Sequence, residues 1–142
     1  MTVSAYLSES RGAIIQANAK DSVASVIALL AQKRIGCVPI VEAGRVVGIF
    51  SERDVVYGLA RSGAALLDQP VSEVMTSPAV TIAPDTQIMS ALSLMTMRRI
   101  RHLPIVADGL MVGFVSIGDL VKSRIDQIEA EAEAMRSYIQ SA

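Results

Sequence analysis

From Ser22 to Arg34 the apolar residues Val23, Val26, Ile27, Leu30 and Ala31 recur at three- and four-residue steps, the spacing of one helix face. Asp21 or Ser22 stands where a side-chain oxygen caps the first turn. Ile88, Leu92 and Met95 repeat that spacing further along and predict a matching helix. The period then shortens: Val38 to Val41 and Val46 to Phe50 are short β-branched runs joined by Glu42-Ala43-Gly44, the mark of a hairpin. Ala107-Asp108-Gly109 occupies the same place in a second hairpin, and Pro39 and Pro104 each sit at a strand entry, where a missing N–H is tolerated. Ser51 and Ser116 open further helices carrying Val55, Val56 and Leu59 in one case and Leu120 and Val121 in the other. Between the halves, residues 63–77 hold Gln69-Pro70 and Ser77-Pro78, read as partly helical around Val71 to Met75, and lead into a strand at Ala79 to Ile82. Each half therefore reads strand, helix, strand, strand, helix, an α/β (α+β) class of fold.

The halves are copies. A shift of 65 residues lays Lys33-Arg-Ile-Gly-Cys-Val-Pro-Ile-Val41 on Arg98-Arg-Ile-Arg-His-Leu-Pro-Ile-Val106, and 11 of the 24 positions from 33 to 56 are identical without a gap. The identities include Arg34/Arg99, Pro39/Pro104, Gly44/Gly109, Gly48/Gly113, Ser51/Ser116 and Asp54/Asp119. Upstream, Asp21 and Asp85 suggest a register offset of 64, which sets Ala17 beside Thr81. A copy of about 60 residues buries too little surface to stand alone, so the two are expected to pack as one pseudo-symmetric unit.

Composition narrows the class. The chain has 142 residues, 51% of them hydrophobic and 19% charged, which supports a buried core and argues against disorder. Mean hydropathy is +0.45, yet the longest run free of charge, Thr86 to Met97, is 12 residues, against roughly 18 for a membrane span. The N-terminus has neither a basic start nor an apolar run of signal-peptide length, and Cys37 is the only cysteine, so a reducing cytoplasmic setting without disulfides or metal cages is expected. A net charge of −1 gives no bulk attraction to nucleic acid or an anionic membrane.

Two segments carry a resemblance: Gly48-Ile-Phe-Ser-Glu-Arg-Asp54 and Gly113-Phe-Val-Ser-Ile-Gly-Asp119, each downstream of a Pro-Ile-Val strand. In these the chain resembles a tandem pair of CBS (cystathionine β-synthase) domains, the Bateman module, over residues 1 to about 124. The resemblance implies two β-α-β-β-α repeats, at 1–67 and 68–124, with a C-terminal amphipathic helix at 125–142. It implies a regulatory rather than catalytic module that binds an adenosyl ligand in clefts between the repeats and signals by conformational change to an effector protein. AMP is the first expectation, with ADP, ATP, NAD(H) or S-adenosylmethionine as alternatives and no metal required. A face-to-face homodimer is the implied assembly.

The Ser-x-x-Asp spacing supports two kinds of chemistry. A serine at the N-cap with an acidic residue three on is a capping box, worth about 1 kcal/mol to the helix start. A carboxylate fixed at a helix N-terminus can also accept both hydroxyls of a ribose, while the serine hydroxyl and free N–H groups favour phosphate. The candidates are Ser51, Arg53 and Asp54 in the first copy and Ser116 and Asp119 in the second. Arg101 and His102 precede Leu103-Pro104 where the family often places phosphate contacts, and Thr81 stands where it often places a threonine beside the purine. Adenine is expected against the strand entries Cys37-Val38-Pro39 and His102-Leu103-Pro104. With Ala17, Gly36 and Cys37 facing Thr81, Arg101 and His102 in the alignment, the site of Asp119 is expected to be the better furnished.

Rival readings remain at this level. A Ser116, His102, Asp119 hydrolase lacks a nucleophile elbow, and nucleic-acid binding through Arg98 to His102 lacks interleaved aromatics. A structural or dimerisation module with decayed ligand sites is the third. Beyond the repeats Val121, Ile125, Ile128, Ala132, Met135 and Ile139 are spaced 4, 3, 4, 3, 4, a coiled-coil-like stripe that lies either on its own domain or on a second subunit.

Overall fold

The computed structural model describes residues 1–9 and 12–141; Ser10, Arg11 and Ala142, which fall in the expected first copy and tail helix, lie outside the described residues. The elements are α1 (Val3–Glu9), β1 (Ala17–Asn18), α2 (Val23–Lys33), β2 (Cys37–Glu42), β3 (Arg45–Ser51), α3 (Glu52–Ser62), α4 (Ile88–Arg98), β4 (His102–Ala107), β5 (Leu110–Ser116) and α5 (Ile117–Ser141). Two short 3₁₀ turns, Gly63–Asp68 and Val71–Glu73, fill the linker. β1 runs parallel to β2, and β2 and β4 pair antiparallel with β3 and β5. The mixed α+β class expected from the pattern is the class observed.

Local chemistry sets these elements. Ser22 caps α2 by accepting the Ser25 N–H at 3.2 Å. Both hairpins turn through two residues of positive φ, Ala43 (52°) with Gly44 (78°) and Asp108 (52°) with Gly109 (78°), the geometry of a type I′ turn. In both, the ladder slips by one residue, so that Val47 and Val112 bulge out immediately before Gly48 and Gly113. The first hydrophobic cluster gathers Val23, Val26, Leu30, Val38, Ile40 and Phe50, and the second Ile88, Ala91, Met95, Leu103, Ile105 and Val115.

Leading segments cross over. α1, which the pattern did not predict, buries Val3 in the second cluster and is tied there by Val3 N–H to Thr86 C=O at 2.9 Å and Ser4 N–H to Pro84 C=O at 2.8 Å. Val71, at the start of the expected second copy, is buried in the first cluster beside Leu66. The crossing is close. A Cβ on Gly48 would lie 2.9 Å from the Thr76 carbonyl oxygen, and one on Gly113 would collide with Leu7. That is why both repeats keep glycine there.

Three expectations are corrected. The strand expected at Ala79 to Ile82 is a single bridge: Ile82 donates to Pro104 C=O at 3.0 Å and accepts from Val106 N–H at 2.8 Å, because one residue in contact with β4 suffices to continue the sheet. That bridge also fixes the register. Ile82 opposes Ile105 as Ala17 opposes Ile40, so Ala17 corresponds to Ile82, and Thr81 corresponds to Gln16 rather than Ala17. Finally, no separate tail helix begins at 125: α5 runs unbroken from Ile117 to Ser141, since the segment holds no proline and its one glycine, Gly118, lies in the first turn. Ile125, Ile128, Met135 and Ile139 are 48%, 49%, 60% and 64% exposed, so the stripe does not lie on its own domain.

Candidate functional site

The two Ser-x-x-Asp turns are built by a strand end feeding a helix start. In the second copy Ser116 N–H donates to Asp119 Oδ2 at 2.9 Å and Asp119 N–H to Ser116 Oγ at 3.0 Å, a reciprocal capping box. In the first, Asp54 Oδ2 accepts the Ser51 N–H at 2.9 Å and the Ser51 hydroxyl at 3.3 Å, and its Oδ1 accepts the Thr76 hydroxyl at 2.9 Å. The two carboxylates therefore differ. No described residue donates to Asp119 Oδ1, whereas both oxygens of Asp54 are engaged.

Each turn opens on a hollow whose far wall comes from the other copy. Asp119 and Ser116 face Gly12 to Ile15, Ile35, Gly36 and Cys37 across about 520 Å³, with Phe114 and His102 alongside. Asp54, Ser51 and Arg53 face Pro78 to Val80 and Arg99 to His102 across about 440 Å³. Both volumes fall within the roughly 300–1,000 Å³ of small-molecule sites. Gly36, Cys37 and His102 line both hollows. The expected grouping of Arg101 with Asp119 is thus corrected: the Arg101 backbone is tied to its own copy's helix start, its carbonyl accepting the Ile117 N–H at 2.8 Å, but Arg101 lines the hollow of Asp54. Only His102, the cross-strand partner of Ser116, shares a hollow with Asp119.

The remaining candidates lie elsewhere. Val38 and Leu103 are fully buried in the two core clusters, Pro39 and Pro104 are buried beside them, and none of the four lines a hollow. Thr81 is exposed and lines neither. The apolar walls come from residues the sequence reading passed over, Ile14, Ile15 and Ile35 on one side and Ile49, Val80 and Ile100 on the other. Carrying the 65-residue shift upstream lays 13–15 on 78–80 and would have found them. Thr76 was missed as well, and no sequence spacing marks its bond to Asp54.

Electrostatics separates binding from nucleophilic chemistry. Burial, with the Asp54 charge adding to it, pushes the Cys37 thiol up to about 12, so it stays protonated at neutral pH. Burial holds His102 below the usual histidine range, the Asp119 charge opposing this and Arg101 reinforcing it. The His102 ring stacks on Phe114 with centroids 5.4 Å apart and planes 15° from parallel. Asp119 bonds the Ser116 backbone rather than the imidazole, so among the described residues the hydrogen bonds of a serine triad are not formed. Among them, too, no three His, Cys, Asp or Glu side chains converge as metal ligands, and no helix is long and apolar enough to cross a membrane.

Comparison with known proteins meets this geometry at the repeat. The CBS domain model matches residues 10–61 and again residues 71–126. The chain belongs to the CBS-domain family. Among curated relatives, the mitochondrial CBS domain-containing protein CBSX3 of Arabidopsis thaliana is 32% identical over 125 residues, 84% of this chain but 61% of that protein's length. YhcV of Bacillus subtilis, a CBS domain-containing protein, is 32% identical over 110 residues, 78% of each chain. Among solved structures, the CBS-domain protein ATU1752 of Agrobacterium tumefaciens superposes with a TM-score of 0.80 at 34% identity, covering 87% of this chain and 99% of that one. The CBS domain pair of protein MJ0100, solved with 5′-methylthioadenosine and S-adenosyl-L-methionine, shares the fold at a TM-score of 0.76 and 24% identity, covering 89% and 98%. CBS pairs of this kind are in general regulatory rather than catalytic.

Proposed function

We propose that this CBS pair is a sensor that takes an adenine nucleotide in the hollows between its copies and passes occupancy to an effector protein by a change of shape, with no catalytic step. One observation carries the reading: a carboxylate held at a helix N-terminus, with one oxygen uncommitted, opens on a hollow of mononucleotide size whose opposite wall is apolar. Asp119 accepts the two ribose hydroxyls, and adenine lies between Ile14, Ile15 and Ile35. In the other hollow Arg53, Arg99 and Arg101 supply three guanidinium groups for phosphate. AMP fits the reading with ADP, ATP and NAD(H) as longer variants. S-adenosylmethionine is the alternative for the hollow of Asp119, where His102 is the one basic side chain among the described lining residues. The MJ0100 pair holds adenosyl compounds on the same fold. We place the protein in the cytoplasm as a homodimer.

A second reading has its own support. Asp54 already satisfies Ser51 and Thr76, which is what a purely structural cap would do. Ligand-stripped protein tested by thermal shift and calorimetry against AMP, ADP, ATP, NADH and S-adenosylmethionine separates the two. A concentration-dependent rise in Tm with saturable heat supports the sensor. Silence across the panel leaves the structural module.

A further inference from the structure

Among the described residues, the apolar stripe of α5 is left largely uncovered. Val121, Ile125, Ile128, Met135 and Ile139 are all more than 40% exposed, on a helix 25 residues long. An apolar stripe of that extent marks a contact surface. We propose that it is covered by the same stripe of a second copy, the two α5 helices lying parallel and in register. The proposal rests on the homodimer of the preceding reading and adds its orientation.

With the two stripes fully overlapped, charge favours a second copy and one direction. With Ile125, Ala132 and Ile139 at the a positions and Val121, Ile128 and Met135 at d, the flanking g positions are Arg124 and Glu131 and the flanking e positions Glu129 and Arg136. In a parallel pair each g residue meets the e residue five places on in its partner. That sets Arg124 against Glu129 and Glu131 against Arg136, opposite charges throughout, each pair made twice by symmetry. Turning one helix around, with the stripes centred on residue 130 so that they overlap fully, sets the like charges Glu129 on Glu129, Glu131 on Glu131 and Lys122 on Arg136, with Arg124 against Tyr138. In one chain alone these charges make only weak links along the helix, such as Arg136 to Glu133 at 3.6 Å between side chains 65% and 70% exposed.

Two measurements on the full chain test this. Under mild oxidation Ile139→Cys should cross-link to itself, because parallel pairing puts the two 139 positions side by side, whereas the reversed arrangement parts them by roughly 27 Å. The parent chain, whose Cys37 is buried, is the control and should stay uncross-linked. By sedimentation equilibrium, Glu129→Arg with Arg136→Glu should weaken self-association by about tenfold or more, as should Arg124→Glu with Glu131→Arg. An equimolar mixture of the two variants restores every opposite-charge contact and should recover the parent affinity, which also shows that both variants fold. A dimer that neither cross-links through residue 139 nor responds to the charge reversals overturns the parallel pairing and leaves the homodimer standing. A parent chain that is monomeric overturns both.

Discussion

The hydrogen bonds at the two Ser-x-x-Asp turns make unequal predictions for the same substitution. Asp119→Asn keeps a side-chain oxygen for the Ser116 N–H at 2.9 Å, and the Asn backbone N–H still reaches Ser116 Oγ, so the capping box survives. What changes is Oδ1, which accepts from no described residue and becomes an NH₂ donor facing the ribose hydroxyls. Two charge-assisted bonds are lost, about 2–3 kcal/mol, or roughly 30- to 150-fold in nucleotide affinity. Ligand-free stability should stay within about 0.5 kcal/mol of the parent. Asp54→Asn acts on a carboxylate that already accepts the Ser51 N–H, the Ser51 hydroxyl and the Thr76 hydroxyl. The amide oxygen can stand in for Oδ2, facing both Ser51 groups, or for Oδ1, facing Thr76, but not for both, so this variant should lose about 1–2 kcal/mol of stability, roughly 3–8 °C in Tm for a domain of this size. Calorimetric titration with AMP and thermal melts of the stripped proteins read the two quantities separately. Asp119→Asn with parent affinity in a protein that binds AMP would remove the ribose role; a Tm loss in Asp119→Asn equal to that of Asp54→Asn would show both carboxylates to be structural caps.

Other outcomes follow from the packing. Gly48→Ala drives a Cβ to 2.9 Å from the Thr76 carbonyl oxygen and should cost about 1–3 kcal/mol in urea unfolding, while Gly118→Ala, with only Ser116 Oγ at 3.7 Å, should be neutral or stabilising by up to about 1 kcal/mol; equal effects would refute the crossover argument. Ala43→Asp places at φ 52° the residue that the second hairpin already uses at Asp108, and should raise stability by about 0.5–1 kcal/mol. A fall in stability would mean that the turn is not type I′ in solution. Because burial lowers the folded pKa of His102 below 6.5, the unfolded chain takes up the proton first, so stability should be level above about pH 6.5 and fall as pH drops toward the folded value. His102→Gln should flatten that part of the urea midpoint against pH; an unchanged slope would assign it to other groups.

Most of the fold was legible because both copies state it twice. Helical spacing at Val23 to Ala31 and β-branched runs about Ala43-Gly44 placed α2, β2 and β3 to within one residue, and the repeat predicted α4, β4 and β5 as their copies. What escaped is what period alone does not encode. α1 is seven residues long, held by Val3 and by backbone bonds to Pro84 and Thr86, contacts 80 or more residues away that no window contains. The strand expected at Ala79 to Ile82 has the β-branched composition of one, yet only Ile82 meets β4, because tertiary contact rather than propensity decides how much of an edge segment pairs.

The site was legible by residue type and not by grouping, and the reason is geometric. In an antiparallel hairpin the start of one strand and the end of its partner lie together, so within a copy the residues before β2 or β4 meet that copy's own Ser-x-x-Asp turn, as His102 meets Ser116. That logic puts Arg101 with Asp119. It fails by one residue, because alternate positions along an extended chain point to opposite sides. Arg101 gives its carbonyl to Ile117 N–H at 2.8 Å, which ties its backbone to its own copy, yet its side chain belongs to the hollow of Asp54. Gly36, tied to Glu52 N–H at 3.0 Å, repeats that backbone bond in the first copy but brings no side chain with it. The pseudo-twofold thus delivers three arginines to one hollow and His102 as the basic group among the described lining residues of the other. Two copies of one motif become two chemically different hollows, and the differences of Arg101 from Gly36 and of Arg53 from Gly118 both separate them.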